Sequence, residues 1–134
     1  MKKIEHIGIA VTDINKSNEL FYKIFGKKNY KSETVESEGV TTSFFQIGES
    51  KIELVSATNS ESPISNYLQK NREGMHHISF EVEDIVREMA RLKAEGIRLL
   101  NATPKKGADN KLICFLHPKD TNGVLIELCQ EILQ

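Results

Sequence analysis

Two cysteines in 134 residues are too few for a disulfide framework. Cys114 and Cys129 each sit inside an apolar, strand-like run. A thiol there behaves as a small buried hydrophobe, which fits a reducing compartment. Charge of one sign is also missing. Eighteen lysines and arginines meet 19 aspartates and glutamates, a formal net charge of −1. At that balance nothing points to a nucleic-acid surface, although a local basic patch is compatible with it. No apolar run approaches the length of a membrane span. The segment after Met1-Lys2-Lys3 is broken by Glu5 and His6 before it reaches secretory length. A glycine-rich phosphate loop of the Walker type is absent as well. These absences leave a cytoplasmic protein of one domain spanning 1–134, large enough to build a core without disulfides.

What the chain does contain is an internal repeat. The eleven residues 4–14 align without a gap on 75–85, with histidine, isoleucine, valine, aspartate and isoleucine recurring in register. A helical stretch follows each time, over 13–25 and again over 84–95. Asp13 and Asp84 are suited to cap these helices, and Gly26 and Gly96 to end them. Their apolar faces read as Leu20, Phe21, Ile24 and Phe25 in the first helix and Ile85, Met89 and Leu92 in the second. Strand patterns occupy 40–47 and 51–55 in the first half and 111–116 and 123–129 in the second. Weaker extended segments precede each pair near 28–34 and 97–101. Each half therefore reads strand–helix–strand–strand–strand, as one module over about 1–56 and another over about 75–134. Between them, Ser62-Pro63 opens a short helix within the connector 57–74. Either half would be marginal alone at this size, so the two are expected to share one sheet surface.

Parity along the strands separates packing residues from chemical ones. Successive strand side chains point to opposite faces. Ile7, Ile9 and Val11 share a face, and His6 lies on the other; Ile78, Phe80 and Val82 share a face, and His77 lies on the other. Glu53 is flanked by Ile52 and Leu54, and Glu127 by Ile126 and Leu128. Four donors thus sit opposite bulky aliphatic faces, at matched positions of the repeat. Two imidazoles and two carboxylates suit a divalent ion such as cobalt, nickel, zinc or manganese. His76 falls on the aliphatic face, where packing or support of a ligand is expected, and His117 precedes Pro118 in a loop, where a capping or surface role is expected.

These stretches resemble the vicinal oxygen chelate superfamily, in which paired βαβββ modules form a cup around a metal. Within it the chain is similar to the methylmalonyl-CoA epimerases. The similarity covers nearly the whole chain. It is carried by residues 6–11, by 74–82 and above all by 115–128, with its HPKD-x-x-GVL-x-EL run. The resemblance implies an α+β, glyoxalase-like fold with a curved mixed sheet, a divalent metal with cobalt favoured, an acyl-CoA substrate and a homodimer. It also implies that His6, His77 and Glu127 hold the metal, with Glu53 as the fourth ligand. One position departs from the pattern. Many bacterial members carry a catalytic glutamate three residues after the glycine of a Gly-Val motif, and here that position is Thr42.

The implied reaction interconverts (2R)- and (2S)-methylmalonyl-CoA. It removes the hydrogen between a thioester and a carboxylate, through a metal-stabilised enolate. Inversion requires proton exchange on both faces, most simply by two acid/base groups. Glu53 and Glu127 are assigned that work, with Glu36, Glu38 and Glu81 in reserve. Lys105, Lys106 and Lys119 are loop cations placed to meet the phosphates of coenzyme A, or else are merely solvated. Three other readings remain open at this point. One is a glyoxalase I-like lactoylglutathione lyase with the same ligand types. Another is a non-catalytic small-molecule-binding module. The third is an iron dioxygenase using two histidines and one carboxylate, against which Glu53 argues.

Overall fold

A computed structural model describes residues 1–133. In chain order the elements are β1 (Lys3–Ala10), α1 (Ile14–Phe25), β2 (Lys31–Val35), β3 (Val40–Ile47), β4 (Ser50–Ala57), α2 (Pro63–Lys70), β5 (Gly74–Glu81), α3 (Ile85–Ala94), β6 (Lys105–Lys106), β7 (Lys111–Phe115) and β8 (Ile126–Glu131). Two 3₁₀ turns, Glu36–Glu38 and Pro118–Asp120, complete the set. The class is α+β, and the strand–helix–strand–strand–strand order occurs twice. Two compact units emerge, one of Ile7–His76 and one joining Met1–His6 to the segment from His77 onward. The division cuts β1 after His6 and β5 after His76, so the first six residues belong with the second half of the chain. Among the described residues no helix is long and apolar enough to cross a membrane.

In the unit of residues 7–76, α1 begins where Asp13 accepts hydrogen bonds from the amides of Asn15 and Lys16, both 3.1 Å. Such a cap is worth about 1 kcal/mol. The helix stops at Gly26, whose φ of 72° is a left-handed conformation that suits glycine. Ile14, Phe21 and Phe25 pack on Val11, Phe45 and Leu54. Leu20 and Ile24, expected on this face, are instead 53% and 60% exposed. The inward stripe runs 14-18-21-25 and includes a polar residue, Asn18, whose Oδ1 accepts from Ser43 Oγ at 2.6 Å. Strands β2, β3 and β4 form an antiparallel meander, with Lys31 opposite Phe44 and Phe44 opposite Glu53. Ser62 caps α2 through Ile64 N, 3.2 Å. Ile64 then packs with Ala10, Val40 and Val55.

In the other unit β5 runs parallel to β8, β7 is antiparallel to β8, and β6 antiparallel to β7. One face of these strands buries Cys114, Leu116 and Leu128 against Ile85 and Met89 of α3. Asp84 caps that helix by accepting from Arg87 N at 3.1 Å. The segment 97–101 forms a single bridge, Leu99 to Leu116, rather than a strand. It is held by backbone bonds, Leu100 N to Phe115 O and His117 N to Arg98 O, both 2.8 Å, and by side chains. Asn101 Oδ1 accepts from Phe115 N (3.1 Å), and Asp120 Oδ2 accepts from Arg98 N (2.9 Å). The paired edge strand is the polar dipeptide Lys105–Lys106. It reaches β7 through a tight turn in which Asp109 and Asn110 both take positive φ, 57° and 55°. Gly107 N donates to Lys111 O at 2.9 Å, so the loop proper is the three residues 108–110, and aspartate and asparagine tolerate its left-handed backbone.

Candidate active site and metal centre

Three strand residues of one unit meet at a point. His6 comes from β1, His77 from β5 and Glu127 from β8, and each is buried. Each contributes a donor atom to a cluster spanning no more than 4.8 Å. The parallel register explains the meeting of the last two. Ser79 lies opposite Glu127, and His77 is two residues from Ser79 on the same strand face. Ser79 is wholly buried and small, which leaves volume beside the imidazole.

The two imidazoles turn the same atom toward each other. His6 Nε2 lies 3.1 Å from His77 Nε2, with the rings edge to face at 88°. Glu127 Oε1 lies 3.4 Å from His6 Nε2. That oxygen is buried and accepts no hydrogen bond among the described residues. A buried carboxylate oxygen without a donor is costly. Two ring nitrogens and this oxygen converge as the vertices of a coordination shell would. Metal–nitrogen bonds of about 2.1 Å place neighbouring ligands about 3.0 Å apart in an octahedron and about 3.4 Å apart in a tetrahedron. The donor set therefore fits a divalent ion, and its nitrogen and oxygen chemistry fits the borderline transition metals.

A residue to which the sequence reading gave no function borders this cluster. Glu5 is 2% exposed, and its Oε1 lies 3.1 Å from His6 Nδ1. Strand parity assigns neighbouring residues to opposite faces, so nothing in the pattern links Glu5 to the imidazole; only its acidic type beside a ligand hints at it. Phe115 of β7 stands opposite Glu127 and packs edge-on against His77. Lys111 also escaped the sequence reading. It shares the Phe115 face of β7 and is 6% exposed.

Glu53 lies in the unit of residues 7–76, buried on β4 opposite Phe44. Thr42 is buried on β3, and its hydroxyl donates to Glu33 O at 3.2 Å. Glu36 is exposed and Glu38 half-buried in their 3₁₀ turn. Glu81 pairs with Lys2 at 3.7 Å. Lys105, Lys106 and Lys119 are exposed. His76 packs edge-on against Tyr67, centroids 4.8 Å apart. His117 caps the second 3₁₀ turn through Nδ1, which accepts from Lys119 N at 3.1 Å. Asp120 grips Arg98 by two side-chain hydrogen bonds of 2.9 and 3.0 Å, and the guanidinium holds its carboxyl well below the usual range. The HPKD run is thus a clamp on the loop that leads into β8. Burial pushes the Cys129 thiol up to about 12 and raises that of Cys114, so both stay neutral.

Residues 5–115 match the family described as the glyoxalase/bleomycin resistance protein/dioxygenase superfamily. The mitochondrial methylmalonyl-CoA epimerase of Dictyostelium discoideum is 42% identical over 94% of this chain and 76% of its own length. The ethylmalonyl-CoA/methylmalonyl-CoA epimerase of Cereibacter sphaeroides is 40% identical over 96% of this chain and 97% of its own. The chain belongs to the methylmalonyl-CoA epimerase family of that superfamily. A structural neighbour agrees. Streptomyces coelicolor methylmalonyl-CoA epimerase in complex with 2-nitronate-propionyl-CoA superposes with a TM-score of 0.95 at 34% identity, covering 99% of both chains. The α+β glyoxalase-like class that the resemblance implied is therefore the fold of this family member.

Proposed function

We propose that this family member is an isomerase that interconverts (2R)- and (2S)-methylmalonyl-CoA by moving the proton on C2. The observation that carries the reading is the buried His6–His77–Glu127 cluster with its donor-less carboxylate oxygen, in a chain whose relatives bear that activity in their names. His6 and His77 would hold a divalent ion through Nε2 and Glu127 through Oε1, with Glu53 as fourth ligand. Co²⁺ is the favoured ion, with Ni²⁺, Zn²⁺ and Mn²⁺ as the alternatives. When bound, that ion supplies Lewis-acid stabilisation of the charge that develops as the C2 proton leaves.

The chain's own groups do the rest. Glu127, buried with no hydrogen-bond donor on its Oε1 among the described residues, is assigned one face of C2; a carboxylate that holds a cation is a weaker base, so this side chain would have to detach to take the proton. Inversion needs a partner on the opposite face, and Glu53 is assigned that part. Thr42 does not serve as the base: its hydroxyl is committed to a backbone carbonyl, and a hydroxyl without an adjacent base is a poor proton acceptor. Lys105, Lys106 and Lys119 offer exposed amines to the coenzyme A phosphates. We assign the protein to the cytoplasm as a homodimer, since twofold symmetry is the default for small oligomers.

The test incubates metal-loaded protein with (2S)-methylmalonyl-CoA in D₂O, beside the hemithioacetal of glutathione and methylglyoxal. Racemisation with deuterium entering C2 supports the epimerase. Turnover of the hemithioacetal alone would replace it with the lyase reading.

A further inference from the structure

The carboxylate of Glu5 is as deeply buried as any donor of the site, yet neither the sequence pattern nor the reaction requires it. Burying an ionised carboxylate is expensive unless it gains a specific partner. One such partner is His6: Glu5 Oε1 stands 3.1 Å from Nδ1, and both side chains are almost wholly enclosed, 2% and 7% exposed. The opposite nitrogen of the same ring, Nε2, is the one aimed at His77 and Glu127. The two nitrogens of an imidazole have complementary duties. For Nε2 to offer its lone pair to a cation, the ring's proton must reside on Nδ1, where a carboxylate is the best acceptor.

We infer that Glu5 is a positioning residue for the cation site: it accepts the Nδ1 proton of His6, fixes the tautomer and ring plane that present Nε2, and adds a second negative charge beside Glu127. The inference rests on the reading of His6, His77 and Glu127 as metal donors. Placement explains why the device is built from adjacent residues. β1 crosses from one unit to the other immediately after His6, so only the short stretch before it shares the site's unit in sequence. A carboxylate from the preceding position reaches Nδ1 without recruiting another strand.

The experiment titrates the purified, EDTA-treated full chain with Co²⁺ and follows the visible absorption of the bound ion, for the wild type, Glu5→Gln and Glu5→Leu. Glu5→Gln keeps size and an acceptor oxygen but not the charge; Glu5→Leu removes both. The expected result is graded. Glu5→Gln binds Co²⁺ several-fold more weakly, and Glu5→Leu about 10- to 100-fold more weakly with a shifted spectrum. Glu5→Gln, nearly isosteric, decides the matter should Glu5→Leu fail to fold by circular dichroism. Equal affinity and an identical spectrum for wild type and Glu5→Gln would overturn the role of Glu5. A wild type that binds no Co²⁺ would instead overturn the metal reading beneath it, so the two failures are distinguishable.

Discussion

The ring of Phe115 stands edge-on to the imidazole of His77, centroids 6.0 Å apart and planes at 87°. Such a pair contributes about 0.5–1.5 kcal/mol beyond simple burial. It also braces the imidazole from the side of β7. Phe115→Leu is expected to fold, to lose about 1 kcal/mol of stability, and to bind cation more weakly than wild type. Urea unfolding together with Co²⁺ titration reads both effects. A loss of stability with unaltered cation affinity would make Phe115 a packing residue only.

Glu127→Gln separates chemistry from folding. The variant is expected to lose at least about 100-fold in exchange of the C2 hydrogen with solvent deuterium. Without metal it should unfold at an equal or higher temperature than wild type, because a buried carboxylate oxygen without a donor has been replaced by a neutral amide. Wild-type exchange rates in this variant would remove Glu127 from the reaction.

Metal loading is expected to stabilise the protein. At a Co²⁺ concentration a hundred times its Kd, linkage gives about 2.7 kcal/mol. That corresponds to a rise in Tm of about 10 °C for a domain of this size. Differential scanning calorimetry before and after EDTA checks it. An unchanged Tm at saturating Co²⁺ would argue against a cation at this cluster.

The clamp between Asp120 and Arg98 carries a pH signature. Arg98 holds the folded Asp120 carboxyl well below its ordinary range, so the folded state binds fewer protons here than the unfolded one. Its contribution is therefore fully present above the unfolded pKa of about 4 and declines as pH falls through the lower folded value. The Tm difference between wild type and Asp120→Asn should be constant from pH 5 to 7 and shrink below pH 4. A difference independent of pH would show that the charge is not what the clamp uses.

The sequence exposed the parts of the molecule governed by local rules. Asp13, Ser62 and Asp84 cap helices because a short oxygen-bearing side chain can reach free amides wherever it sits. Repeat and parity led to His6, His77 and Glu127 because strand geometry alternates strictly. Residues whose roles depend on tertiary neighbours were not legible. Leu20 and Ile24 match a helical apolar stripe, but Asn18, held by Ser43, rotates the buried face away from them. The Lys105–Lys106 strand carries no apolar signal, since only the turn at Asp109 and Asn110 brings it to β7. Glu5 reaches His6 by curling against the alternation that made His6 visible.

The lending of the first six residues to the later half of the chain has a consequence for biosynthesis. His6 is made before its imidazole partner, which follows 71 positions later, and Glu127 comes later still. A ribosome-bound chain exposes one ring with nothing to share a cation with. The three donors of the proposed cation site thus come together only after β8 has paired with β5, so under that reading loading waits for both strands.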